Sequence, residues 1–190
     1  MASTTAFAAR LGLDTAGPHL AMALWSPEEG VLARRAARVE REHAARIVTE
    51  LDGLFEEAAV RRGAVAAITV GVGPGSYTGL RVGLAAGRAM ATAWSVPLGG
   101  ADSLASLAWG ALAPGQTGVA VMDARRGNVY AAVFRREEHG LTEIVPAAKR
   151  PRDEVAAAWP AAIWIEDVAP DATWAAMRPT GERPAEAVYL

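Results

Sequence analysis

The stretch Gly71-Val-Gly-Pro-Gly-Ser-Tyr-Thr-Gly-Leu-Arg-Val-Gly-Leu-Ala-Ala-Gly87 decides the fold. It follows an apolar run of strand character, residues 66–70, and opens into a helix expected to continue to Trp94. Gly71, Gly73 and Gly75 fall in the strand-to-helix loop, where glycine permits positive φ or close backbone approach. Gly79, Gly83 and Gly87 recur at every fourth position of the helix and so share one line along its surface. A helix-interior glycine costs about 0.8–1.0 kcal/mol against alanine. Three on one line imply that something presses close there, either a strand layer or another helix. Beside Leu80 and Leu84 the whole row points to a helix–helix contact, within the chain or between chains.

The rest of the chain frames this unit. Its 190 residues suffice for one large domain or two small lobes. At 52% hydrophobic and 21% charged, it can bury a core and is not of disordered composition. A net charge of −2 argues against general nucleic-acid affinity of the whole surface, though not against a local basic patch. The absence of cysteine removes disulfides, thiolate metal sites and cysteine nucleophiles together. No signal peptide is read in the first ten residues and no run is long and apolar enough for a membrane span, so a soluble cytoplasmic protein is expected.

Residues 8–14 and 19–25 are apolar runs around Thr15-Ala-Gly-Pro18, a hairpin signature. Residues 31–39, interrupted by Arg34, Arg35 and Arg38, predict an edge strand. Over 42–61 the spacing of Ile47, Leu51, Leu54 and Phe55 predicts a helix. A strand over 66–72, the glycine-striped helix and a short strand over 97–101 complete the order β-β-β-α-β-α-β. The order then begins again. At an offset of 109, Leu13-Asp14 overlays Met122-Asp123, and the run 20–24 overlays 129–133. Strands over 119–123, 129–134, 141–145 and 162–166, with helices over 152–159 and 171–177, make a second, abbreviated copy. The pattern predicts an α/β protein built by duplication, with a first lobe at 1–103 and a shortened second lobe at 104–190.

Asp14 and Asp123 end their strands, where ligands of α/β sheets collect. Each could hold a magnesium ion, or simply accept backbone N–H bonds in its own turn; Arg125 and Arg126 could also pair with Asp123. The loop Gly73-Pro-Gly-Ser-Tyr-Thr78 could bind an anion at the helix N-terminus, with Ser76 or Thr78 adding a hydroxyl, or Ser76 or Thr78 could cap the helix. Its spacing is not that of a P-loop. His19, His43 and His139 are too scattered for a metal cluster, with His43 read as an exposed helix-start residue. No nucleophile elbow or zinc-binding helix motif is present. The arginines of Asp123-Ala-Arg-Arg-Gly127 could equally contact phosphate or lie in a solvated turn.

Several motifs in order along the chain resemble those of the TsaB (YeaZ) family. They are Arg41-Glu-His43, the glycine motif from Gly71 to Arg81, Val96-Pro97, Asp102-Ser-Leu104, Asp123-Ala-Arg-Arg-Gly127 with Val129-Tyr130, and Val188-Tyr-Leu190. The resemblance implies a duplicated ASKHA (actin/sugar-kinase-like, ribonuclease H-like) fold with two lobes. It also implies a noncatalytic scaffold needed for threonylcarbamoylation of adenosine 37 in tRNAs reading ANN codons. Such a subunit pairs with itself or with the catalytic paralogue TsaD, is joined by the ATPase TsaE, and meets tRNA through the complex. ATP and a metal are implied for that complex and no cofactor for this chain alone. The implied pairing surface is built from the two first-lobe helices, here expected at Ile47, Leu51, Phe55, Gly79, Leu80, Gly83, Leu84 and Gly87. A degenerate nucleotide loop is expected at Asp14, Gly73, Gly75, Ser76, Thr78 and Asp123. The metal-binding histidines of TsaD fall at Ser103 and Leu107 here. The alternative is an ATP-dependent phosphotransferase or ATPase of the ASKHA type acting through Asp14 and Asp123.

Overall fold

Ala9–Asp14 (β1), His19–Ser26 (β2) and Gly30–Arg38 (β3) form an antiparallel meander, and Val65–Gly71 (β4) joins β1 in parallel, followed by Leu98–Ala101 (β5). The resulting strand order is β3-β2-β1-β4-β5. This computed structural model describes residues 8–40 and 42–190; Arg41 of the Arg41-Glu-His43 motif and the first seven residues lie outside them. His43–Ala58 (α1) and Tyr77–Trp94 (α2) cover one face of the sheet. Ile47, Leu51, Leu54 and Phe55 turn inward from α1 onto Leu11, Leu13, Leu24 and Ile68, none more than 7% exposed. The edge strand β3 keeps its arginines by pairing them outside the core: Arg35 binds Glu50 and Glu57 of α1.

Thr117–Asp123 (β6), Asn128–Arg136 (β7), Leu141–Pro151 (β8) and Ile163–Ile165 (β9) repeat the scheme in the order β8-β7-β6-β9. Once again an antiparallel meander is extended by a strand parallel to its first member. The duplication therefore holds at the level of topology. It does not hold in pairing register, because Asp14 pairs with Ala21 whereas Asp123 pairs with Val129, one residue closer. A one-residue change moves a strand's side chains to the opposite face. Asp14 is wholly buried and Asp123 is exposed.

Ser103–Ala111 (α3) lies against the second sheet, and Arg152–Ala158 (α4) lies on that sheet's other face. The sequence pattern does not predict α3. Every residue from Ser103 to Ala108 is buried, so the helix has no polar face and no helical periodicity to read. Its readable signal is Asp102, whose Oδ1 accepts the Ala105 N–H at 2.9 Å as an N-cap.

The chain after β9 departs from a two-body division at 103/104. Thr173–Met177 (α5) crosses back to the first sheet, onto the face opposite α1 and α2. Gly12 makes this possible, since a Cβ there would lie 2.1 Å from the Ala172 carbonyl oxygen. The tail follows α5 along the same lobe: the Val188 N–H donates to the Val72 carbonyl and the Gly100 N–H to the Arg183 carbonyl. Arg34–Asp171 and Arg38–Asp167 ion pairs tie β3 to the segment between β9 and α5.

The glycine row is corrected by the same geometry. Gly79, Gly83 and Gly87 face the chain's own first sheet, not a partner helix. Added Cβ atoms would lie 2.1 Å from the Thr15 carbonyl oxygen, 2.2 Å from Thr15 Oγ1 and 2.5 Å from Val70 Cγ1 respectively. Leu80 and Leu84 are buried beside them, and Ile47, Leu51 and Phe55 are equally core. All eight residues expected at a pairing surface are spent inside the lobe. A bulky residue at position 83 would disrupt the fold before it disturbed any partner.

Candidate functional site: the Asp14 loop, the interlobe cleft and the outer helix face

The first turn, the glycine loop and the start of α3 converge beneath a cleft between the lobes. Asp14 Oδ1 accepts the Ala16 N–H at 2.9 Å, the turn-forming role open to it from the sequence. Its Oδ2 is buried beside Gly71, where a Cβ would come within 2.2 Å of it, and near the Ser103 hydroxyl. Burial pushes the Asp14 carboxyl up from 3.8 to about 6, with the Ala16 N–H and the Ser103 hydroxyl opposing the rise. Thr15 Oγ1 donates to the Gly79 carbonyl at 2.8 Å and fixes the first turn of α2 on the sheet.

Three of the loop's N–H groups are committed, while those of Gly75, Tyr77 and Thr78 at the start of α2 have no partner among the described residues. The Gly73 N–H donates to Ser103 Oγ, the Ser76 N–H to the Ala16 carbonyl and the Gly79 N–H to Ser76 Oγ. Ser76 is thus the cap of α2, while Thr78 is exposed and no cap. Gly73 sits at φ +101° beneath the Val188 carbonyl, and Gly75 packs against Ala16. A metal does not fit the two α3 positions, since Ser103 offers a hydroxyl already bonded to Gly73 and Leu107 a buried isobutyl group. Among the described residues there is no cluster of three or more His, Cys, Asp or Glu that could hold a metal.

The second lobe's contribution differs. Asp123 Oδ1 accepts the Arg125 N–H at 3.0 Å, and the side chains of Arg125 and Arg126 do not pair with it. The turn carries three successive left-handed residues, Arg125 at φ 64°, Arg126 at 56° and Gly127 at 75°. Asp14 and Asp123 do not face each other as a catalytic pair, because one is sealed in the core and the other is open to solvent. His43 is buried, not exposed as expected, and its Nε2 lies 3.3 Å from the His19 carbonyl. Burial and the nearby Arg38 hold the His19 imidazole below its ordinary range.

The cleft itself measures about 940 Å³ and is bounded by Tyr77, Tyr130, Trp164 and Tyr189, with Arg125 and Asp123 at the second-lobe rim. Sequence reasoning missed these aromatics, which come from four separate elements. Val188-Tyr-Leu190 was visible only as a terminal motif, with nothing local to bring Tyr189 to Tyr77.

A third surface lies outside both. The outward faces of α1 and α2 carry Ala44, Ala45 and Val48, then Ala85, Ala89 and Ala93, all exposed, Val48 by 64%. These positions alternate with the buried ones on the same helices. They are among the exposed residues, with Arg46, Thr49, Arg81 and Arg88, through which either helix can meet another molecule.

Two meander-based lobes, related by topology and enclosing a cleft, define a protein of the duplicated ASKHA class. A family model described as "TsaD: tRNA N6-adenosine threonylcarbamoyltransferase" matches residues 23–185. The tRNA threonylcarbamoyladenosine biosynthesis protein TsaB of Escherichia coli (strain K12) is 33% identical over 133 residues, covering 69% of this chain and 57% of that protein. The protein of the same name from Bacillus subtilis (strain 168) is 29% identical over 142 residues, covering 72% and 59%. The solved structure of YeaZ from Pseudomonas aeruginosa superposes with a TM-score of 0.79 at 24% identity, over 96% of this chain and 100% of that one. The chain belongs to the TsaB (YeaZ) family, and it spans less than two thirds of the length of the two curated relatives. Among the described residues no helix is long and apolar enough to cross a membrane.

Proposed function

We propose that the chain is a noncatalytic subunit in the formation of threonylcarbamoyladenosine on tRNA. It acts by pairing with a TsaD-like catalytic paralogue, with a TsaE-like ATPase joining the assembly. The observation that carries the pairing role is the outward face of α1 and α2, where small and apolar side chains stand exposed on adjacent helices over a rigid sheet. Small residues let a facing backbone approach, and apolar area removed from water supplies roughly 25 cal/mol per Å². Support for the noncatalytic role comes from Ser103 and Leu107, which offer no metal ligand set. In this reading the chain alone holds neither nucleotide nor metal. Alone in solution, the same face pairs two copies of the chain.

The test is pairing with the paralogue after charge is introduced on that face. Val48→Asp together with Ala89→Asp leaves the core untouched, so the melting temperature should hold, because exposed substitutions usually change stability by under about 0.5 kcal/mol. Affinity should fall more than about tenfold, because a buried unpaired carboxylate costs several kcal/mol. Unchanged affinity with a normal fold would remove this face from the account.

A further inference from the structure

The cleft carries a set of side chains that pairing leaves unused. Tyr77 and Tyr189 stand at its mouth, each 58% exposed, with ring centroids 5.5 Å apart. Tyr130 and Trp164, both half-buried, reach it from opposite faces of the second sheet, and Arg152 lies over the Trp164 ring. Arg125 reaches the same lining from the β6–β7 turn, with Arg126 next to it. Lys149, the single lysine of the sequence, pairs across strands with Tyr130 and so lies on the same face of the sheet. Among the described residues, none of these three cations forms an ion pair.

Two arginines balance two of the four carboxylates around the cleft. Arg38 pairs with Glu40 and Asp167, and Arg152 pairs with Glu166. Of the remaining lining acids there is only Asp123, with one oxygen bonded to its own turn. Tyr77, Tyr189 and Tyr130 thus stand near three cations outside ion pairs, with Arg81 over the Tyr77 ring, in a chain whose net charge is −2. A mononucleotide gripped through the Gly73, Ser76 and Gly79 N–H groups does not suit the site, because these are already bonded. Aromatic platforms flanked by cations suit a polymer whose unpaired bases stack while its backbone follows the positive rim. At about 940 Å³ the cleft is at the upper end of the range for a single drug-sized ligand.

The geometry points to single-stranded RNA as the ligand of this cleft. Its bases stack on Tyr77, Tyr189 and Tyr130, and its phosphates meet Arg125, Arg126 and Lys149. The inference rests on the tRNA-modification reading and deepens it, by giving this subunit a direct hold on unpaired nucleotides of the substrate.

The test is fluorescence anisotropy of the full chain with fluorescein-labelled decauridine at low salt. The expected result is saturable binding that weakens about tenfold in Tyr77→Ala and in Tyr189→Ala, since stacking is lost. Tyr77→Phe and Tyr189→Phe should retain it, and thermal melts should show all four variants folded. Arg125→Gln with Arg126→Gln should lower the slope of log affinity against log salt by about one to two. Absence of binding, equal binding by both alanine variants, or uptake of ATP in place of the oligonucleotide would each overturn the inference. If RNA binding fails while modification still requires the chain, this inference falls and the pairing function stands. If the chain proves dispensable for modification, the functional reading falls regardless of RNA affinity.

Discussion

Replacing Asp14 by asparagine should stabilise the protein at neutral and alkaline pH and do nothing in acid. Asp14 is fully buried, and burial raises its carboxyl from 3.8 to about 6 against the smaller opposing effects of the Ala16 N–H and the Ser103 hydroxyl. The folded chain therefore holds the Asp14 proton more tightly than the unfolded chain does. Its contribution to stability is complete below about pH 3.8 and is lost as pH rises through about 6. At about 1.4 kcal/mol per pH unit, the ionised carboxylate withholds ~3 kcal/mol from folding above that range. Asparagine keeps an acceptor for the Ala16 N–H while removing the charge. For a chain of this length each kcal/mol moves the melting temperature by about 2–4 °C, so a rise of roughly 6–12 °C is expected at about pH 8. Urea titrations of both proteins at about pH 4 and about pH 8 measure the difference directly. An asparagine variant that is less stable at the alkaline pH, or equally shifted at both, would refute a buried carboxylate that is costly to ionise.

Three other substitutions probe the packing. Gly83→Ala should lose about 1–3 kcal/mol through overpacking despite its better helix propensity, because the new methyl meets Thr15 Oγ1; calorimetry should show Thr15→Ala in the same chain restoring part of the loss. Ala59, the left-handed residue that ends α1 at φ 52°, should gain about 0.5–1 kcal/mol on replacement by glycine in chemical denaturation. The Glu50 carboxylate is pushed up by burial but is held below its usual range by Arg46 and Arg35 together. Glu50→Gln should cost about 1–3 kcal/mol near neutral pH, and the gap to wild type should narrow as acid protonates the wild-type carboxylate below its ordinary range.

Much of the fold was legible because its signals are local. The β1–β2 hairpin, the stripe of α1 and the strand–glycine loop–helix unit each carry their pattern within a few turns of chain, and the repeated aspartate-ended strand revealed the duplication. Other features depend on partners distant in sequence. β8 runs to Pro151, beyond the expected 145, because pairing with β7 sustains it through Arg150. The short helix α3 is buried from Ser103 to Ala108 and so lacks a polar face there. Nothing near Thr173 says that α5 returns to the first sheet; the matching clue is Gly12, more than a hundred residues earlier, and it reads as an ordinary strand glycine. The glycine row was correctly read as a close approach but given the wrong neighbour. Spacing reveals that something comes near, and only the β1–β2 turn in place at Thr15 reveals what. The opposite faces of the same helices, alanine and Val48, carry no spacing signal of comparable strength and became conspicuous only once the buried faces were assigned.

The central claim is that the chain serves tRNA modification by pairing through the outer faces of α1 and α2 and not by chemistry of its own. The most direct measurement is threonylcarbamoyladenosine formation on tRNA in a mixture of the TsaD-like paralogue, the TsaE-like ATPase and this chain. Product should form with the wild-type chain, fall sharply without it, and fall equally with the Val48→Asp, Ala89→Asp chain, while Asp14→Asn supports formation normally. Product formed as fast without the chain, or abolished by Asp14→Asn in a folded protein, would contradict the account.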